Sequence, residues 1–249
     1  MLKRERQAYI LHQLNLHNQV LSANLSLDLK VSEDTIRRDL QELADGGKLT
    51  KVHGGALSLS FNDFHYPATH VYAHQQKKEI ARKAVKLIEN EMFVMTTGGT
   101  TLIELARALP RSLKATFISG SIPVALEYTY HPHIEVIMIG DKVSRHSKLT
   151  VGGDAIEKIR QIKADLCFMG VNAIDAEYGL TDNDWNVVQI KKAMIESSRK
   201  VVCLTIAEKL KSCQPLNVCP LSDIDILITE LPSDAPQLDP YRQKGIAII

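Results

Sequence analysis

The chain is short of several things. It has four cysteines in 249 residues. Cys167, Cys203, Cys213 and Cys219 form no C-x-x-C pair. A disulfide scaffold or a zinc ribbon is therefore not expected. Cys167 and Cys203 lie within apolar runs, where a reduced, buried thiol is the expectation. Aromatic residues are scarce, with a single Trp. Excess charge of either sign is missing, because 30 Lys and Arg face 29 Asp and Glu. No bulk field would draw the chain to a polyanion, so any nucleic-acid binding must come from the placement of charges. Apolar runs of the roughly 20 residues needed to cross a bilayer do not occur. The start, "MLKRERQAYI", is charged and amphipathic without an apolar leader core, which favours a cytoplasmic protein with no membrane partner. His65, His70, His74, His131 and His133 lack carboxylate or thiolate neighbours at ligand spacing, and no metal or cofactor is implied.

What is present divides into two patterns. Residues 1–57 carry helical periodicity. Ile10, Leu11 and Leu14 share one face of a first helix, and Leu21, Leu25 and Leu29 share a face of a second. A third helix begins after Ser32, a good N-cap, with Glu33 and Asp34 at its positive end. Ile36, Leu40 and Leu43 form its inward stripe, and Gly46 and Gly47 end it. "KLTKVHGG" has the alternation and glycine exit of a small hairpin. This order spells a winged helix-turn-helix. Its third helix points Thr35, Arg37, Arg38 and Gln41 away from the apolar stripe, near the end that enters a DNA major groove. Lys48, Lys51 and His53 on the hairpin could meet phosphates. Residues 58–75 show no clean period and read as a linker.

From residue 76 to 249 short apolar runs alternate with helical segments. Helices are predicted over 77–89, 100–109, 122–129, 154–161 and 185–198. Strands are predicted over 92–96, 115–118, 134–139, 165–169, 201–205 and 224–228. The alternation predicts a doubly wound, mostly parallel α/β domain, whose ligands bind beyond the carboxyl ends of the strands. Those ends are rich in glycine and hydroxyls: Thr97, Gly98, Gly99, Thr100 and Thr101 after one strand, Ser119, Gly120 and Ser121 after the next. Gly153, Asn172 and Lys209 follow later ones. Convergence of such ends on one edge suggests a pocket for a polyol or a phosphate.

"VSEDTIRRDLQELADGGKLTKVHGGAL" resembles the N-terminal domain of DeoR-type bacterial transcriptional regulators, and the resemblance runs through nearly the whole chain. It implies that Thr35, Arg37 and Arg38 lie on a DNA-facing helix. It also implies a second domain that senses a sugar phosphate, similar in fold to ribose-phosphate isomerases, in a repressor of carbohydrate-metabolism genes. Family members typically carry Asp-Ser-Gly-Thr-Thr where this chain has residues 97–101, and often an Asp where it has Ile206. The turn at Gly179, Leu180 and Thr181 and the run from Lys191 to Ile195 match well. Three functions are weighed. The first is a regulator that binds double-stranded DNA as a homo-oligomer under control of a small metabolite. The second is an isomerase-like enzyme with an accessory domain, for which Asp141 or Asp182 would have to serve as the base. The third is an adaptor that has lost its ligand. The groove-reading helix and the missing acids at positions 97 and 206 favour the regulator.

Overall fold

A computed structural model describes residues 1–59, 71–144 and 147–249. Most of the expected linker, including His65 and His70, lies outside the described residues. The chain falls into two compact units, Met1–Tyr72 and Ala73–Ile249.

In the first unit α1 (Lys3–His17), β1 (Gln19–Leu21), α2 (Ser22–Leu29) and α3 (Glu33–Asp45) precede β2 (Thr50–Val52) and β3 (Gly55–Leu57). Ile10 and Leu14 of α1, Leu25 and Leu29 of α2, and Ile36, Leu40 and Leu43 of α3 close on one core with Val20, Leu49 and Ala56. The α2 stripe differs from expectation at one end. Leu21 is 40% exposed and belongs to β1, because the backbone there is extended and pairs with Gly55. The wing is thus a three-stranded antiparallel sheet, β1-β3-β2, and not a bare hairpin. Its glycines have separate reasons. Gly54 turns the chain at φ +77°, while a Cβ on Gly55 would lie 1.9 Å from the Val20 carbonyl. Lys30 adopts a left-handed conformation, φ 53°, at the end of α2, and Ser26 Oγ donates to the Val31 carbonyl across the turn at 2.6 Å. Beneath α3 the buried Asp39 takes a bidentate pair of bonds from Arg6 of α1, one of them at 3.1 Å.

The second unit opens with α4 (His74–Val85), then β4 (Phe93–Thr96), α5 (Thr100–Ala108), β5 (Ala115–Ser119), α6 (Ile122–Tyr128) and β6 (Ile134–Met138). A ribbon, β7 (Lys142–Val143) with β8 (Thr150–Val151), leads to α7 (Gly153–Arg160) and β9 (Leu166–Gly170). Then come β10 (Ala173–Asp175), β11 (Gly179–Asp182), α8 (Trp185–Glu196), β12 (Val201–Leu204), β13 (Leu216–Cys219), β14 (Ile226–Ile228), α9 (Asp239–Arg242) and β15 (Ala247–Ile248). Seven strands form one sheet in the order β15-β14-β12-β9-β4-β5-β6, all parallel. Its interior strands are mostly apolar, as burial on both faces requires. Cys167 and Cys203 are buried in this core as reduced thiols. β10, β11 and β13 make a separate antiparallel sheet that the sequence reading did not anticipate.

Strand order fixes where a ligand can sit. The chain starts the sheet in its middle at β4, builds outward through β5 and β6, and returns to β9 on the other side of β4. The connections leaving β4 and β9 diverge, so a crevice opens beyond their carboxyl ends.

Candidate functional site

On the first unit, Ser32 Oγ accepts from the Thr35 amide at 3.3 Å and lies 2.9 Å from the Thr35 hydroxyl. Serine thus caps α3 and fixes Thr35 at its first turn. Arg37 and Arg38 project outward, with side chains 62% and 80% exposed. They pair with Glu33 at 3.6 Å and with Asp34 at 2.7 Å, each one turn back. Exposed pairs of this kind contribute less than about 1 kcal/mol, so a phosphate or a base edge can replace the carboxylate. Gln41 donates to Asp45 Oδ1 at 2.7 Å and accepts from Lys51 Nζ at 2.9 Å, which ties β2 to α3. Lys48 and His53 are exposed on either side of β2.

On the second unit, the turn after β4 meets the end of β9. The Gly170 amide donates to Thr97 Oγ1 at 2.8 Å, and the Thr97 amide donates to the Phe168 carbonyl at 3.1 Å. A Cβ on Gly170 would lie 2.7 Å from the Gly98 carbonyl, so glycine is what lets the two strand ends close. Gly99, at φ +114°, precedes α5, whose first amides belong to Thr100 and Thr101. Those amides have no acceptor within the helix. After β5, Ser119 Oγ donates to the Thr96 carbonyl at 2.9 Å and accepts from the Ser121 amide at 3.1 Å. Gly120 packs against Thr150 of β8, where a Cβ would approach the hydroxyl to 2.5 Å. Gly153 is set apart. The turn before α7 already holds an anion, the Asp141 carboxylate, which accepts from the Ala155 amide at 3.2 Å and the Lys142 amide at 2.6 Å. Those backbone bonds hold Asp141 below the usual carboxylate range.

Lysines gather at the crevice. Lys191 Nζ of α8 donates to the Gly170 carbonyl at 2.9 Å and to Asp182 Oδ2 at 2.7 Å. Lys209 Nζ donates to the Val171 carbonyl at 2.9 Å. Lys77 of α4 is 93% buried, at 7% exposure, and its charge is felt at Lys209. Burial lowers Lys209 to about 7, helped by the charges of Lys77 and Lys191 and opposed by Asp182. Burial lowers Lys77 to about 8 against the fields of Glu104 and Glu208. At Asp182 burial pushes upward, but the charge and hydrogen bond of Lys191 outweigh it, with the Asn183 amide and Asn172 adding to them. Its carboxyl is held below the usual range. Asn172 Nδ2 lies 3.2 Å from Asp182 Oδ1. Sequence reasoning did not single out Lys77 or Lys191, although each shares the apolar stripe of its helix: Lys77 with Ile80, Ala81 and Ala84, Lys191 with Val187, Val188 and Met194. A lysine in register with such a stripe was the signal available. Ile206 is buried in the core, 2% exposed.

Two family models match. Residues 6–61 fit a DeoR-like helix-turn-helix domain, and residues 72–231 fit a DeoR C-terminal sensor domain. The chain belongs to the DeoR family. This regulator is 30% identical to the HTH-type transcriptional regulator GolR of Listeria innocua, over 98% of this chain and 97% of that one. It is 31% identical to the glycerol-3-phosphate regulon repressor of Haemophilus influenzae, over 84% and 81%. Among solved structures it is similar to a ribose 5-phosphate isomerase from Methanocaldococcus jannaschii, with a TM-score of 0.42 and 17% identity over 56% of this chain and 55% of that one. Its relatives are named as regulators and repressors, and it is a DNA-binding regulator of transcription, not an enzyme. Among the described residues no helix is long and apolar enough to cross a membrane, and no group of three or more His, Cys, Asp or Glu could hold a metal ion.

Proposed function

We propose that the regulator is a cytoplasmic repressor that binds an operator in double-stranded DNA through α3 and the wing, and that a phosphorylated sugar or related metabolite in the β4–β9 crevice alters that binding. The observation that carries the ligand reading is the convergence of Lys77, Lys191 and Lys209 where sheet topology opens a crevice. Asp182 bonds Lys191, and Glu104 and Glu208 act on Lys77, while the Lys209 ammonium donates to a backbone carbonyl. An ammonium drawn out of water and lowered toward neutrality is stabilised by an arriving anion, and a phosphate supplies that charge. The amides and hydroxyls of Thr97, Gly98, Gly99, Thr100, Thr101, Ser119, Gly120 and Ser121 surround the same strand ends and suit a hydroxyl-rich body. Asn172, after β9, and Lys209, after β12, border it. The name of the Haemophilus relative adds a glycerol phosphate to the candidates.

Holding suits this site better than catalysis. A general base needs a carboxylate within reach and free to accept a proton. Asp182 is committed to Lys191, and Asp141 caps α7.

On the DNA side, Ser32, Thr35, Arg37, Arg38 and Gln41 form the reading face, and Lys48, Lys51 and His53 contact phosphates. Pseudo-palindromic operators match paired reading heads, so the working form is a homo-oligomer. The test uses the full chain and a duplex it selects from a random pool. Sugar phosphates, glycerol 3-phosphate and the unphosphorylated sugars are screened by thermal shift, then by anisotropy of the labelled duplex. A phosphorylated compound that raises the melting temperature and changes DNA affinity is expected. If only unphosphorylated sugars act, or none does, the assignment of the crevice is wrong.

A further inference from the structure

Glu104 stands between the candidate pocket and the start of the second unit. It lies on α5, one turn beyond Thr100 and Thr101, and is 4% exposed. Its Oε1 is 3.3 Å from His74 Nε2 and 3.1 Å from Arg107 Nη1, and its charge acts on the ammonium of Lys77. His74 and Lys77 occupy the first turn of α4, where the Lys77 amide donates to the Ala73 carbonyl at 3.0 Å. Ala73 is the first residue of the second unit. It sits in the left-handed region, φ 52° and ψ 42°, and no side-chain hydrogen bond caps the helix there. For alanine this conformation is strained and gains nothing locally, so the surrounding contacts must impose it.

We infer that Glu104 is a positioning residue that couples occupancy of the pocket to the junction preceding α4, by exchanging its attraction for Lys77 against its contacts with His74 and Arg107. The inference rests on the anion-binding reading of the crevice. An anion beside Lys77 and Lys209 competes with Glu104 for the Lys77 charge. The carboxylate then binds more fully to His74 and Arg107, and the first turn of α4 shifts its anchor. Because Ala73 is held in a strained state by that turn, a small change of anchor is enough to release or tighten the junction. Arg107 is itself fixed by Glu127 at 2.6 Å, which braces the far side of Glu104.

The experiment compares wild type, Glu104→Gln, Glu104→Asp, His74→Leu and Lys77→Met as full chains. Inorganic phosphate is the probe for the anion, and a duplex selected by the wild type is the DNA. Phosphate binding is read by thermal shift, and its effect on DNA affinity by anisotropy. For the wild type, phosphate should change DNA affinity by at least about fivefold, the lower end of ordinary coupling. Glu104→Gln and His74→Leu should bind phosphate within about threefold of wild type yet show a coupling factor within about twofold of unity. Glu104→Asp should restore part of the coupling, and Lys77→Met should lose phosphate binding itself. Full coupling in both Glu104→Gln and His74→Leu would overturn the inference and leave the pocket assignment standing. Absence of phosphate binding to the wild type would overturn the pocket assignment, and the inference with it. His74→Leu removes a partly exposed group, so it tests the same contact should Glu104→Gln fail to fold.

Discussion

Replacing Lys209 by methionine should make the protein more stable and insensitive to its effector. An ordinary lysine ionises near 10.5, whereas Lys209 is lowered to about 7 in the fold. At pH 7 the unfolded chain carries the proton almost always and the folded chain about half the time. Linkage over a gap of roughly 3.5 pH units then gives a penalty of about 4 kcal/mol at pH 7. Methionine keeps the stem and removes the penalty, but forfeits the bond to the Val171 carbonyl, worth about 1 kcal/mol. A net gain of roughly 2–3 kcal/mol is expected. The sign with pH follows from a lowered lysine. The penalty is full below the folded value of about 7 and fades as pH rises toward 10.5, where the unfolded chain also gives up its proton. The advantage of the variant should therefore be widest at pH 6 and should shrink to about a third or less of that value at pH 9, about 1 kcal/mol. Trp185 is the only tryptophan and lies in the second unit, so its fluorescence in urea follows the relevant transition. A variant less stable than wild type at pH 6, or an advantage unchanged at pH 9, would refute the account of Lys209. Stability gained with response lost is the signature of a group kept for binding.

The remaining predictions concern other parts of the molecule. Asp39→Ala leaves the half-buried Arg6 without its partner and should destabilise the first unit by about 1–3 kcal/mol in a far-UV circular dichroism melt, with Arg6→Met in the same chain recovering part of the loss. Arg38→Ala should weaken binding to the selected duplex by about 1–3 kcal/mol and flatten its preference over random DNA, and a uniform loss on both would recast Arg38 as a phosphate contact. Gly170→Ala forces a methyl within 2.7 Å of the Gly98 carbonyl and should lower stability by about 1–3 kcal/mol while abolishing the thermal response to the effector.

Periodicity made most of the architecture legible. The inward stripe of α3 and the six parallel strands read from apolar spacing lie within a few residues of their observed positions, because burial on a helix face or between two layers leaves a repeating mark. Short strands of mixed polarity leave no such mark. β1 has three residues, and β10, β11 and β13 have three or four, and they are defined by partners far along the chain, as when Leu180 pairs with Cys219. Leu21 was placed on the α2 stripe because spacing alone cannot show that the helix starts only at Ser22. At the crevice the small residues were visible as strand-end glycines and hydroxyls. The buried cations were not sought, since a lysine is ordinarily a solvent-facing residue and only its register against the apolar stripe marks Lys77 and Lys191 as exceptions. Gly153 reads in sequence like the other strand-end glycines, but Asp141, twelve residues upstream, already fills the helix end that it begins.

The outward growth of the sheet from its middle has a consequence during synthesis. All the strand pairs of the first unit are complete once Leu57 has emerged. The crevice of the second unit closes across a separation of 73 residues, between Thr97 and Gly170, and its lysine cluster is incomplete until Lys209 is made. At ordinary translation rates the 152 residues from 57 to 209 take on the order of ten seconds. For that interval each nascent chain carries a reading head whose ligand site is still incomplete.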